Sequence, residues 1–110
     1  MLDKGKVREI ATDYTEEVKK IFNPVSVILF GSYVNGNPHA DSDIDIAVLV
    51  DNISDDDWYD ARIRLQKIRS NRQNIDKFLD IEPHLLDPNQ DPSGFVEHVI
   101  KTGEVIYQSA

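Results

Sequence analysis

The sequence predicts an α+β fold, a mixed β-sheet of about four strands with helices packed mainly on one face. Three observations carry that expectation. Two short runs, VSVILF at 25–30 and DIDIAVLV at 43–50, have the length and β-branched content of buried strands. Segments 6–22 and 56–72 repeat apolar residues at helical spacing. Turn formers separate these runs, giving the order α-β-(turn)-β-α-β-α-β.

In chain order, KVREIATDYTEEVKKIF (6–22) places Val7, Ile10, Ala11, Tyr14, Val18, Ile21 and Phe22 on one face, an amphipathic helix. Asn23-Pro24 ends it, because proline disfavours helical geometry in the residue before it. The strand 25–30 runs into Gly31-Ser32, and GSYVNG suits a short helical turn. NGNPHADS (35–42) is dense in turn formers and reads as a loop. The strand 43–50 begins with alternating acidic and apolar residues and then becomes wholly apolar. DNISDDD closes it and opens the helix 56–72, with Ser54 or Asp55 as cap and acidic residues near the positive end. That helix is expected to bury Trp58, Ala61, Leu65 and Ile68 and to expose its arginines. FLDIEPHLL (78–86) reads as a third strand, which Pro83 assigns to an edge or a bulge. A short helix at 94–101 stops at Thr102-Gly103, and EVIYQ reads as a last strand or an extended cover.

A chain of 110 residues suits one domain, taken as 1–110. The absence of cysteine excludes disulfides and thiolate metal sites and agrees with a cytoplasmic setting. No run approaches the roughly 20 apolar residues of a membrane span, and the N-terminus carries no apolar leader core. A net charge of -8 repels phosphate backbones, so direct nucleic acid binding is not expected. Clustered carboxylates leave cation binding open.

Asp43 and Asp45 alternate along a strand, so they share a face, with about 7 Å between their backbone positions. Two such acids repel unless a cation compensates them, and hard oxygen donors favour Mg²⁺ or Mn²⁺ over zinc. Asp80 and Glu82 share a face of the third strand, and either can complete a three-carboxylate site if that strand lies beside the second. Such a site can hold two metals suited to in-line attack on phosphorus. Gly31 lets the backbone approach a phosphate, and Ser32 adds a hydroxyl donor toward a nucleoside triphosphate.

Gly-Ser, ten residues, then Asp-x-Asp, set between two apolar strands, resembles the DNA polymerase beta-like nucleotidyltransferase superfamily. The short chain is similar to the minimal nucleotidyltransferases, the MNT proteins paired with HEPN proteins in prokaryotes. The likeness spans roughly 7–107, with its specificity in 30–50. It implies that Gly31 and Ser32 hold the triphosphate of ATP, that Asp43 and Asp45 ligate Mg²⁺ or Mn²⁺, and that Glu82, or Asp80, supplies the third acid. Many relatives carry aspartate at that third place, so Glu82 departs from the pattern by one methylene. The resemblance further implies transfer of AMP to a hydroxyl, such as a tyrosine of a small all-helical HEPN toxin, with this chain as antitoxin. Two alternatives stand beside it: an antitoxin that neutralises by binding alone, and a small-molecule (aminoglycoside-type) transferase, for which a homodimer can build the acceptor site.

Other residues read as structural. Asp55-Asp56-Asp57 is a solvated cap, and Trp58, Leu65 and Ile68 are core. The arginines of 56–72 are solvated or face an acidic partner. His39 is an exposed loop residue, and His84 and His98 lack a metal-ligand partner at useful spacing along the chain.

Overall fold

The computed structural model describes residues 3–36, 43–73 and 76–110. The loop core 37–42, with His39, lies outside the described residues. The elements are α1 (Lys4–Lys19), β1 (Ser26–Phe30), α2 (Ser32–Asn35), β2 (Ile44–Leu49), α3 (Asp55–Ser70), β3 (Ile81–Leu86), α4 (Phe95–Thr102) and β4 (Glu104–Gln108).

The four strands form one sheet in the order β3-β2-β1-β4. β1 runs antiparallel to both β2 and β4, while β2 and β3 are parallel. A parallel pair needs a crossover, and α3 provides it. The sheet is therefore mixed, as the sequence predicts. β3 is an edge strand, which is where a proline such as Pro83 is tolerated. EVIYQ forms the other edge, so of its two readings the strand is the one found.

Alternation along the strands assigns the two faces. Val27, Leu29, Ile44, Ile46, Val48, Ile81 and Leu85 pack with Val7, Ala11, Tyr14 and Val18 of α1 and Ala61, Leu65 and Ile68 of α3. Ile28, Ala47 and Leu49 face the other way and are covered by Val96 and Val99 of α4. Two long helices thus cover one face, and the short α4 packs on the opposite face.

Local chemistry sets the helix ends. Asp3 caps α1 by accepting from Lys6 N at 2.8 Å, so the helix begins two residues before the predicted start. Its regular part stops at Lys19 rather than Phe22, and Ile21 is left exposed. Ser54 is the N-cap residue of α3, but its hydroxyl donates to the Asp57 carboxylate at 3.0 Å instead of capping a backbone N–H with its side chain. Asp91 caps α4 with both oxygens, accepting from Val96 N at 3.0 Å and Glu97 N at 3.1 Å. An Arg8–Glu104 ion pair joins α1 to β4.

The third strand is shorter than predicted. Phe78 is buried, but it lies in a turn ahead of β3 and meets the Tyr14 ring edge-on at 5.3 Å. Tyr14 donates its hydroxyl to Leu65 O at 3.4 Å. Burial pushes its phenol pKa well up, against a smaller opposing pull from Arg69, so the ring stays neutral in the core.

Gly103 joins α4 to β4 where no side chain fits. A Cβ there would overlap Ile28 Cγ2 and stand 2.6 Å from Val99 O and 2.9 Å from Leu29 O. Two of those atoms are backbone and cannot swing aside. Gly103→Ala is expected to lower stability by about 1–3 kcal/mol. A urea titration checks this: the midpoint falls while the m value holds.

Candidate active site

The site starts at the end of β1. Gly31 has φ 85° and ψ -154°, a region essentially restricted to glycine. Its conformation turns the chain from β1 straight into α2, where Val34 N and Asn35 N both donate to Gly31 O, at 3.0 and 2.9 Å. The first N–H groups of such a turn have no acceptor within it and face outward. A second constraint acts on the same residue. A Cβ at Gly31 would overlap Asp45 Oδ2 and stand 3.2 Å from Asp45 Cγ. The turn backbone thus rests directly on the Asp45 carboxylate.

Sheet register brings in the other groups. Asp45 pairs with Phe30 on one side and with Glu82 on the other. The parallel β2–β3 pairing thus sets two carboxylates side by side on the face that carries α4. His84, two residues beyond Glu82 on the same face, reaches back so that its Nε2 lies 3.3 Å from Asp45 Oδ1. Ligand atoms of Asp45, Glu82 and His84 all lie within 4.8 Å of one another. The Asp45 and His84 side chains are 23% and 29% exposed and Glu82 is exposed, so the group is open to solvent. Behind His84, the Phe30 ring stands 5.1 Å away, and Phe95 of α4 packs on both rings.

Several sequence expectations meet here and others do not. Gly31, Asp45 and Glu82 come together, with Ser32 opening α2 beside them. Asp43 lies just ahead of β2, is exposed, and is not part of the close group. Of the two third-strand acids, Glu82 faces Asp45. Asp80 precedes β3 and uses its backbone C=O to accept from Ile44 N at 2.7 Å.

His84 is the residue that sequence reasoning passed over. Its partner, Asp45, is 39 positions away and adjacent only through strand register. The signal was the alternation Glu82-Pro83-His84, which puts the acid and the imidazole on one face. His98 is exposed on α4, and Asp55, Asp56 and Asp57 are exposed in the first turn of α3. Trp58 is half-buried rather than fully in the core. A hollow of about 390 Å³ between the end of α1 and the start of α3 is lined by none of the site residues.

Two carboxylates and an imidazole offer hard oxygen donors and one nitrogen, a set that suits a divalent cation. The neighbouring turn offers backbone N–H groups to an anion. A group of donors able to hold a cation and a turn able to hold an anion therefore adjoin across the Gly31–Asp45 contact.

The sequence profile of the family described as "Polymerase beta, Nucleotidyltransferase" matches residues 12–110. The chain belongs to this nucleotidyltransferase family. Among curated proteins, none matches its sequence. Among solved structures, a candidate nucleotidyltransferase from Sulfolobus solfataricus is 24% identical, with a TM-score of 0.64 over 93% of this chain and 80% of that one. A chain of a toxin–antitoxin complex with AMP-PNP is 27% identical, with a TM-score of 0.56 over 89% and 73%. An MNT antitoxin bound to a tri-AMPylated HEPN toxin from Shewanella oneidensis is 24% identical, with a TM-score of 0.54 over 93% and 73%. The α+β sheet of this nucleotidyltransferase is the fold of those neighbours. No described helix is long and apolar enough to cross a membrane.

Proposed function

We propose that this nucleotidyltransferase moves AMP from ATP to a hydroxyl of a HEPN-type toxin, most simply a tyrosine, and thereby serves as the antitoxin. The observation that carries the reading is the contact of the Gly31 turn with Asp45, itself paired with Glu82. That contact sets a phosphate-binding turn against an acidic pair. The likeness at 27% identity to a toxin–antitoxin chain solved with AMP-PNP supports the nucleotide and the partner class.

In this reading Gly31 and Ser32 hold the triphosphate through backbone N–H groups and the Ser32 hydroxyl. Asp45 and Glu82, with Asp43 from the start of β2, would hold Mg²⁺ or Mn²⁺. A cation held there would supply positive charge to offset that of the phosphates and of the departing pyrophosphate. The acceptor oxygen attacks the α-phosphorus, forming the new O–P bond as the bond to pyrophosphate breaks. The Glu82 carboxylate receives or orients the acceptor proton, which the extra methylene of glutamate still permits. The rest of the acceptor site would come from the partner, since among the described residues α4 is the helix packed on this face.

The test is to incubate the chain with ATP, Mg²⁺ and its co-purified helical partner and weigh the partner intact. The expected result is a gain of one or more AMP masses, with pyrophosphate released. A partner inhibited at unchanged mass would replace transfer by neutralisation through binding.

A further inference from the structure

The transfer scheme leaves His84 without a task, yet the fold directs its ring at the site. The register sets Ala47 opposite His84, and this small residue leaves the imidazole room to lean back along the strand toward Asp45. Phe30 stands beside the ring at an interplanar angle of 62°, and Phe95, 6.4 Å from it, packs against Phe30 at 5.7 Å. Nε2 lies 3.3 Å from Asp45 Oδ1, and a ligand atom of Glu82 lies within 4.8 Å of the Asp45 and His84 ligand atoms.

Magnitudes favour coordination over a simple hydrogen bond. Donors each about 2.1 Å from one cation lie at most about 4.2 Å apart. Separations within 4.8 Å exceed that span by at most about 0.6 Å.

From this we infer that His84 is a direct metal ligand, its Nε2 joining Asp45 and Glu82 around one divalent cation. The nitrogen donor moves the site's preference from Mg²⁺ toward Mn²⁺ and the later transition metals, because Mg²⁺ favours all-oxygen shells and imidazole suits the others. This inference rests on the transfer reading, since it uses the same cation site.

The experiment is a titration of Mn²⁺ and, separately, Mg²⁺ into the full chain and into His84→Gln. Pulsed paramagnetic resonance reads nitrogen coupling to the bound Mn²⁺. The expected result is coupling in the parent that vanishes in His84→Gln. Mn²⁺ affinity should fall at least roughly tenfold, and Mg²⁺ affinity should fall less. Bound Mn²⁺ without nitrogen coupling in the parent would overturn the inference whatever the variant's stability, as would coupling that survives in His84→Gln. An absence of Mn²⁺ binding by the parent, with or without AMP-PNP, would overturn it too. Failure of the transfer reading looks different: Mn²⁺ binds with histidine coupling, yet the partner gains no AMP.

Discussion

Asp45→Asn is expected to reduce AMP transfer at least about a thousandfold while leaving the fold as stable as the parent or slightly more so. Asparagine keeps the shape of the side chain, so its contacts with Gly31 and His84 survive. What disappears is the charge that the phosphates' cation would meet. The same change removes one of two like charges held within 4.8 Å, which in the metal-free protein repel each other. Activity and stability should therefore move in opposite directions, as at sites whose strained arrangement serves function. A thermal melt without metal and a transfer assay with it check the two halves. Adding Asp43→Asn should remove any residual transfer. Loss of the fold in Asp45→Asn would mean that the carboxylate serves structure, not chemistry.

Gly31→Ala should be the most damaging change outside the core. At φ 85° and ψ -154° an alanine carries backbone strain of about 1–3 kcal/mol. Its methyl would also displace the Asp45 carboxylate. The melting temperature is expected to fall on the order of 10 °C, and transfer should fall with it. The two causes separate in a double-mutant cycle. In an Asp45→Ala background the overlap with the carboxylate goes, leaving the Cβ contact at 3.3 Å and the backbone part, so Gly31→Ala should cost measurably less there. Additive costs would show that the turn and the aspartate do not touch.

Much of this was legible in the chain because local patterns and the final structure agree. The runs at 25–30 and 43–50 became β1 and β2, and Gly31 ends the first strand as its freedom at positive φ allows. Pro83 marked an edge strand correctly because its missing N–H is a backbone fact that holds in any tertiary setting. What was not legible depends on pairing between distant segments. FLDIEPHLL mixes acidic and apolar residues like a strand from Phe78 on, but β3 begins only at Ile81, where Ile44 offers a partner. Phe78 looked like a strand residue and is core packing for Tyr14. His84 looked idle because its spacing was judged along the chain, whereas its partner arrives through the β2–β3 register. The same register makes Glu82, not Asp80, the acid opposite Asp45.

In the proposed reaction the triphosphate and its cation sit where the Gly31 turn meets Asp45. The measurement that tests it most directly is a calorimetric titration of AMP-PNP into the chain, with and without Mg²⁺, beside Asp45→Asn. Saturable binding that requires the metal and is lost in the variant is the expected result. Equal binding by the parent and Asp45→Asn, or binding indifferent to the metal, would contradict it and move the nucleotide elsewhere.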